Sequence, residues 1–165
     1  MVSSETRELV EAVLADMLVG QHFCRARFDA TLSLYLCGPR PSGIGAWFGD
    51  SDDDAVSLHV WGGWKLFEAT PSRWPRTEED LPDLPMESLV SVACALRENV
   101  IVDARLGTES PHLIVTFDDG QVLFVGGHHD QYESWQLHAG RGKLLIVAVP
   151  RDDLAVWLPE GYRQT

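Results

Sequence analysis

The chain reads as an α+β protein, a mostly antiparallel β-sheet system with two covering helices near residues 4–19 and 86–96. Three observations carry this reading. Residues 113–125 form two apolar runs flanking Asp119-Gly120, a dipeptide that adopts positive φ cheaply and suits a tight hairpin. Residues 4–19 repeat apolar side chains at helical spacing. Short β-rich runs separated by Gly, Pro and Asp fill most of the remainder, and strands that follow one another without regular intervening helices favour antiparallel pairing.

The elements follow in order. Ser4 is placed to cap the first helix, with Glu5 and Glu8 in its early turns where the helix dipole favours anions. Leu9, Val10, Val13, Leu14, Met17 and Leu18 make one continuous stripe, and Gly20 is the expected stop. Phe23 to Phe28 and Leu32 to Leu36 then read as two strands around Asp29-Ala30-Thr31. The Gly/Pro run 38–43 breaks the sheet, a short apolar piece follows at 44–48, and 49–54 is an acidic turn. Residues 55–61 and 64–69 are expected to form a hairpin through Gly62-Gly63. The stretch 70–85 holds Pro71, Pro75, Pro82 and Pro85 and reads as a connector lying over the surface. A second helix over 86–96, a β-rich run at 99–106, the central hairpin, and strands at 133–137, 143–149 and 154–158 complete the chain.

At 165 residues one domain, 1–165, is the default, and the chain is long enough to bury a core without staples. The two halves echo each other: Ala26-Arg27-Phe28 matches Ala104-Arg105-Leu106, and Trp64-Lys65-Leu66 matches Trp135-Gln136-Leu137. An internal duplication of 4–69 and 86–158, joined by the connector 70–85, therefore stands beside a chance likeness of two amphipathic hairpins. The three cysteines, Cys24, Cys37 and Cys94, lack metal-ligand spacing and are expected to be reduced thiols, small buried hydrophobes of a cytoplasmic protein. The first residues show no basic segment followed by an apolar one, so no secretory signal is expected, and no apolar run is long enough to cross a bilayer.

The formal net charge is −12. Phosphates would be repelled, so a general nucleic-acid binder is not expected, whereas a basic protein partner would be attracted. The plainer reading is that the charge keeps the protein soluble.

The run Leu113-Ile-Val-Thr-Phe-Asp-Asp-Gly-Gln-Val-Leu-Phe-Val, then Tyr132-Glu-Ser-Trp-Gln-Leu, then Leu154-Ala-Val-Trp157 resembles a family of small uncharacterised proteins common in actinobacteria. The resemblance covers chiefly residues 96–158, and its motifs are structural. It implies no catalytic residues. Some members resemble bacterial immunity proteins in size, acidity and β-rich build, an analogy of class and not of site. The departure is Arg151-Asp152-Asp153, where the pattern implies a glycine turn.

Chemistry-bearing residues are few. His128-His129-Asp130, with His112, His138 and Glu133 nearby in sequence, is the obvious metal candidate, but neighbours on a strand point to opposite faces and no established ligand spacing supports it. A polar connection after Gly126-Gly127 is the plainer account. Glu133 lies between Tyr132 and Trp135, and strand alternation would put it on the face of Trp135. Of the six tryptophans, Trp135 and Trp157 suit the core, Trp61 and Trp64 flank a turn, and Trp74 in the connector is expected to be partly exposed. No nucleophile motif, phosphate cradle or dinucleotide signal is present.

The expected function is a non-enzymatic cytoplasmic binding module, in its most specific form a toxin-neutralising immunity protein, needing no cofactor. Its expected contacts are Asp52, Asp53, Asp54, Trp61, Trp64, Trp74 and Glu133. The alternative is a small-molecule or metal-dependent enzyme using His128, His129 and Glu133, and edge strands could also pair two copies into a homodimer. Charge reversal at Asp52-Asp53-Asp54 is expected to slow association with a basic partner, read as a lower on-rate whose salt dependence is reduced. An unchanged on-rate would remove those acids from the interface.

Overall fold

The computed structural model describes residues 2–29, 31–39, 56–82 and 85–162. The apolar piece 44–48 and the acidic turn 49–54, with Asp52, Asp53 and Asp54, lie outside the described residues. The described residues form an α+β fold of two helices, α1 (Ser4–Leu18) and α2 (Met86–Ala95), and ten strands. The strands are β1 (His22–Phe28), β2 (Leu32–Cys37), β3 (Ser57–Val60), β4 (Trp64–Phe67), β5 (Ile101–Leu106), β6 (Leu113–Phe117), β7 (Val122–Val125), β8 (Trp135–Ala139), β9 (Leu144–Val149) and β10 (Asp153–Trp157).

They divide into a six-stranded sheet, β1-β2-β3-β8-β9-β10, and a four-stranded sheet, β4-β7-β6-β5. Every neighbouring pair is antiparallel. Strands of both halves of the chain mix in both sheets: β3 pairs with β8, and β4 with β7.

The cap of α1 is Ser3, one residue before the expected one, and its hydroxyl accepts the Thr6 N–H at 3.0 Å. Gly20 takes φ +83° and its N–H is bonded to the Ile101 carbonyl, which turns the chain from helix to sheet. The helix stripe Val10, Val13, Leu14, Met17 and Leu18 is fully buried, each side chain worth about 2 kcal/mol in area removed from water. Glu11 accepts the Leu106 N–H at 3.3 Å, which fixes α1 along β5. At the far end Tyr162 donates to Asp16 at 2.8 Å; burial and that carboxylate hold its phenol well above the usual range.

α2 is less deeply seated. Leu89 and Val92 touch the core while Val90 and Cys94 are exposed, and the 3₁₀ turn after it inserts Leu96 into the core.

The main core lies between the sheets. Leu34, Leu58, Leu137 and Ile146 line one side and Ile101, Leu113, Val115, Leu123 and Val125 the other. The central hairpin forms as its sequence dictates, with Gly120 at φ +87° and the Phe117 N–H bonded to the Gln121 carbonyl. The outward face of that hairpin is itself covered. Ile114, Val122 and Phe124 pack with Phe67, Trp74 and Leu81, so the proline-rich connector lies over the four-stranded sheet.

Three expectations are corrected. The segments around Gly62-Gly63 do not make a hairpin, because β3 and β4 belong to different sheets. The Trp61 and Gly62 N–H groups both bond the Ser134 carbonyl, and the chain passes between sheets there. The cysteines are not all buried thiols. Cys24 and Cys37 form a disulfide, while Cys94 is free and exposed. A bulge between Phe23 and Arg25 puts Cys24 beside the His22–Cys37 rung, with the two Cα atoms 5.7 Å apart, a register that spacing alone does not disclose. Trp157 is 54% exposed, because β10 is an edge strand and Trp157 falls in its outward row.

The turn before β10 keeps its hairpin without glycine. Arg151 and Asp152 take φ +68° and +58°, and β10 pairs with β9 in register from Asp153–Val149 to Trp157–Leu145. Asp152 anchors that left-handed turn by a 2.8 Å bond to His128 Nδ1.

Two glycine variants separate steric from conformational demands. A Cβ on Gly127 would lie 2.0 Å from the Pro111 carbonyl oxygen, so Gly127→Ala is expected to cost about 3 kcal/mol. Gly120 has open space around it and only a positive φ, so Gly120→Ala is expected to cost about 1 kcal/mol. Urea unfolding midpoints would show the order, and equal losses would refute the close contact at Gly127.

Candidate functional site

At the place where the chain passes between sheets, the described residues form an open groove of about 760 Å³. Trp61 and Gly62 after β3, the 129–133 loop before β8, Pro150 after β9 and Glu78 of the connector line it. Its aromatic side chains stand out in solvent, Trp61 at 47% and Tyr132 at 67% exposure. Glu78 and Glu133 supply carboxylates.

Glu133 does not share the face of Trp135. The strand begins at Trp135, so alternation does not extend back to it. Trp135 is fully buried and donates its indole N–H to the Pro111 carbonyl at 2.8 Å, whereas Glu133 is exposed. Glu133 is instead oriented by a side-chain relay. His138 Nε2 bonds Gln136 Oε1 at 2.7 Å, and the Gln136 amide donates to the Glu133 carboxylate.

That relay runs along the outer face of the six-stranded sheet, where the register lines up polar residues of adjacent strands. Ser33, His59 and Gln136 form one row; Tyr35, Ser57 and His138 form the next. The His59 and His138 rings meet edge-on with centroids 4.9 Å apart, and Trp61 lies 6.1 Å from His59. Ser33 and Ser57 hydroxyls bond the two nitrogens of His59 at 2.9 and 3.0 Å. Each hydroxyl can donate or accept, so a neutral ring is satisfied in either tautomer. Burial lowers the pKa of both histidines, and the mutual proximity lowers that of His138 further. The patch beside the groove is therefore uncharged at neutral pH. Arg25 stacks 4.0 Å over Tyr35 at its margin.

The other expected residues separate. Trp64 enters the core at 8% exposure, opposite Val125. Trp74 is half-buried and stacks on Phe124 on the other sheet. His128 and His129 diverge. His128 pairs with Asp152, while His129 Nδ1 accepts the N–H groups of Gln131 and Tyr132 at 3.0 and 2.9 Å and so closes its own loop. Asp130 is exposed. Among the described residues no group of three or more His, Cys, Asp or Glu side chains is arranged to hold a metal ion.

Sequence reasoning missed Tyr132 and His59, and took His138 only as a neighbour of the His128-His129 metal candidate. The alternation in Ser57-Leu58-His59-Val60 and in Gln136-Leu137-His138-Ala139 marks both histidines as outward-facing. Only the β3–β8 register makes them neighbours.

Residues 14–158 match the model of a family described as a family of unknown function, DUF6188. The chain belongs to this family. The match runs from within α1 to the residue after β10, so the DUF6188 region includes both sheets and the whole groove. Neither the comparison with curated proteins nor that with solved structures finds a match. No helix among the described residues of this DUF6188 member is long and apolar enough to cross a membrane.

The groove-side loop also carries a pH-dependent contact. The hydrogen bond that His128 donates to the Asp152 carboxylate raises the His128 pKa. Asp152 is held below the usual carboxylate value: burial opposes this, but the bonds from His128 and Ser110 outweigh it. Because the histidine value is raised, the pair's contribution is full below the ordinary imidazole pKa and is lost as pH rises through the raised one. Because the aspartate value is depressed, the contribution is lost again as pH falls through the depressed one. The side chains are 35% and 32% exposed, so screening limits the pair to under about 1 kcal/mol. The melting-temperature difference between wild type and His128→Gln is expected to be greatest near pH 5–6, at about 2 °C, and to vanish by about pH 9. A pH-independent difference would mean that the contact is steric.

Proposed function

We propose that this protein is a non-enzymatic binding module that captures a basic segment of another protein in the Trp61–Tyr132 groove. One observation carries the reading: two exposed aromatic side chains and two carboxylates converge on a single open groove in a chain of net charge −12. A guanidinium or ammonium group gains from both, by stacking on an aromatic face and by pairing with a carboxylate. Exposed Trp and Tyr are the side chains that most often dominate interface energetics, and the long-range field of an acidic protein speeds encounter with a basic one.

The neutral His59–His138 patch next to Trp61 extends this surface with polar, uncharged area. The relay through Gln136 pre-orients Glu133, which reduces the entropy lost on binding. The most specific form of the reading is a toxin-neutralising immunity protein acting in the cytoplasm. Size, acidity and β-rich build support it. In a reducing cytoplasm Cys24 and Cys37 would stand as thiols, so alkylation in freshly lysed cells would label all three cysteines, against one if the disulfide is kept.

Capture from a lysate of the source organism should be run with wild type, Trp61→Ala and Glu133→Gln at low and moderate salt. The expected result is a basic protein retained by wild type at low salt, weakened by moderate salt, and bound at least about tenfold more weakly by each variant with its melting temperature unchanged. Retention that both variants keep at full strength would exclude the groove as the binding surface.

A further inference from the structure

A second cavity, sharing no lining residue with the groove, lies on the outer face of the four-stranded sheet. The connector segment 72–76 and the β5–β6 loop enclose about 310 Å³ between them. One wall is aromatic. The Trp74 ring stacks on Phe124 with centroids 5.7 Å apart and 20° between planes, and the His112 ring lies 4.9 Å from Phe124.

The rest is cationic. Arg73, Arg76 and Arg105 line the cavity, against one lining carboxylate, Glu109. Three guanidinium groups on one small cavity are a local reversal of sign in a chain that has 13 Lys and Arg against 25 Asp and Glu.

The fold places the connector and two of these guanidinium groups, Arg76 and Arg105. Asp80 accepts the backbone N–H groups of Arg76 and Thr77 at 2.9 and 3.4 Å, which fixes the connector as it leaves the cavity. Arg105 sits 5.7 Å over the Trp74 ring and 3.6 Å from Asp103, and Arg76 is 4.0 Å from Glu109. His112 accepts the Gly127 N–H on Nδ1 at 2.9 Å, so in its neutral form the proton is on Nε2. Burial lowers its pKa, which keeps it a neutral donor.

We propose that this cavity binds a small organic anion built on a single planar ring. The carboxylate or phosphate sits among Arg73, Arg76 and Arg105, and the ring lies against the Trp74 wall. Guanidinium groups match such anions in bidentate geometry, and aromatic walls select a flat body. The volume stands at the lower end of ligand-sized cavities, about 300–1,000 Å³, which admits one ring and excludes a dinucleotide.

Phenyl phosphate is the probe, with inorganic phosphate as the anion lacking a ring and benzyl alcohol as the ring lacking an anion. Binding is followed by the Trp74 indole and Arg105 guanidinium signals in ¹H–¹⁵N spectra. Phenyl phosphate is expected to give saturable shifts, with inorganic phosphate weaker and benzyl alcohol without effect. Arg76→Gln, at a mostly exposed position, should weaken binding about tenfold, and Glu109→Gln should strengthen it by removing the competing carboxylate. That opposite pair of effects is not expected of a structural role. Benzyl alcohol binding as well as phenyl phosphate would overturn the anion site, and inorganic phosphate equalling phenyl phosphate would overturn the ring site. No saturation by about 10 mM phenyl phosphate would overturn the whole proposal.

Discussion

The structure depends on one close crossing. The chain leaves the six-stranded sheet for the four-stranded one at residues 61–63, and returns between Val125 and Trp135 along the same path in the opposite direction. Two backbones can run this near each other only where side chains are absent. Gly63 accepts from the Gly126 N–H, the Trp61 and Gly62 N–H groups converge on the Ser134 carbonyl, and Gly127 packs against Pro111 with no room for a Cβ. Trp135 closes the crossing from the core side by its bond to the Pro111 carbonyl. Every backbone group named here finds a partner, as burial requires.

The candidate groove follows from that crossing. At the crossing the returning chain is buried at Gly126, Gly127 and Ser134, while the outgoing chain leaves Trp61 uncovered. Trp61 is therefore out in solvent while Trp64, three residues on, is in the core. The same geometry brings the 129–133 loop over Trp61 and sets Glu133 at the end of a relay that starts on the sheet surface. The place of the groove thus follows from the crossing, and the particular side chains supply its aromatic and acidic character.

The two sheets differ in how their outer faces are finished. The four-stranded sheet carries Ile114, Val122 and Phe124 outward, and the connector covers them with Trp74 and Leu81. On β2, β3 and β8 the outer face of the six-stranded sheet carries serines, histidines, Gln136 and Tyr35, bonded across strands at Ser33–His59 and along a strand at Ser57–His59 and Gln136–His138; on β9 and β10 it continues into Leu145, Val147, Ala155 and Trp157. Over the four-stranded sheet the connector covers the apolar outward residues and the cavity lies at its edge; on β2, β3 and β8 the polar outward residues bond one another. This contrast separates a cationic pocket from an acidic groove on one small chain.

Local chemistry was legible in the sequence by itself. The α1 stripe, the Asp119-Gly120 hairpin and the strand pair around residues 29–31 rest on contacts within a few residues, where periodicity and turn preference decide the outcome. What needed the tertiary structure was every relation set by register or by long-range pairing. Gly62-Gly63 has the composition of a hairpin turn, and only the pairing of β3 with β8 and β4 with β7 makes it a crossing. Cys24 and Cys37 meet across the β1–β2 pair, where Cys24 sits at a bulge two residues from His22, the partner of Cys37. His59 and His138, 79 positions apart by their numbers, become diagonal neighbours through the pairing of β3 with β8. Trp157 was misjudged because its apolar character is known from the sequence, while its place on an outward edge is not. Side-chain type and local period are written residue by residue; which strand lies beside which is a property of the whole chain, settled by how both sheets bury their inner faces at once.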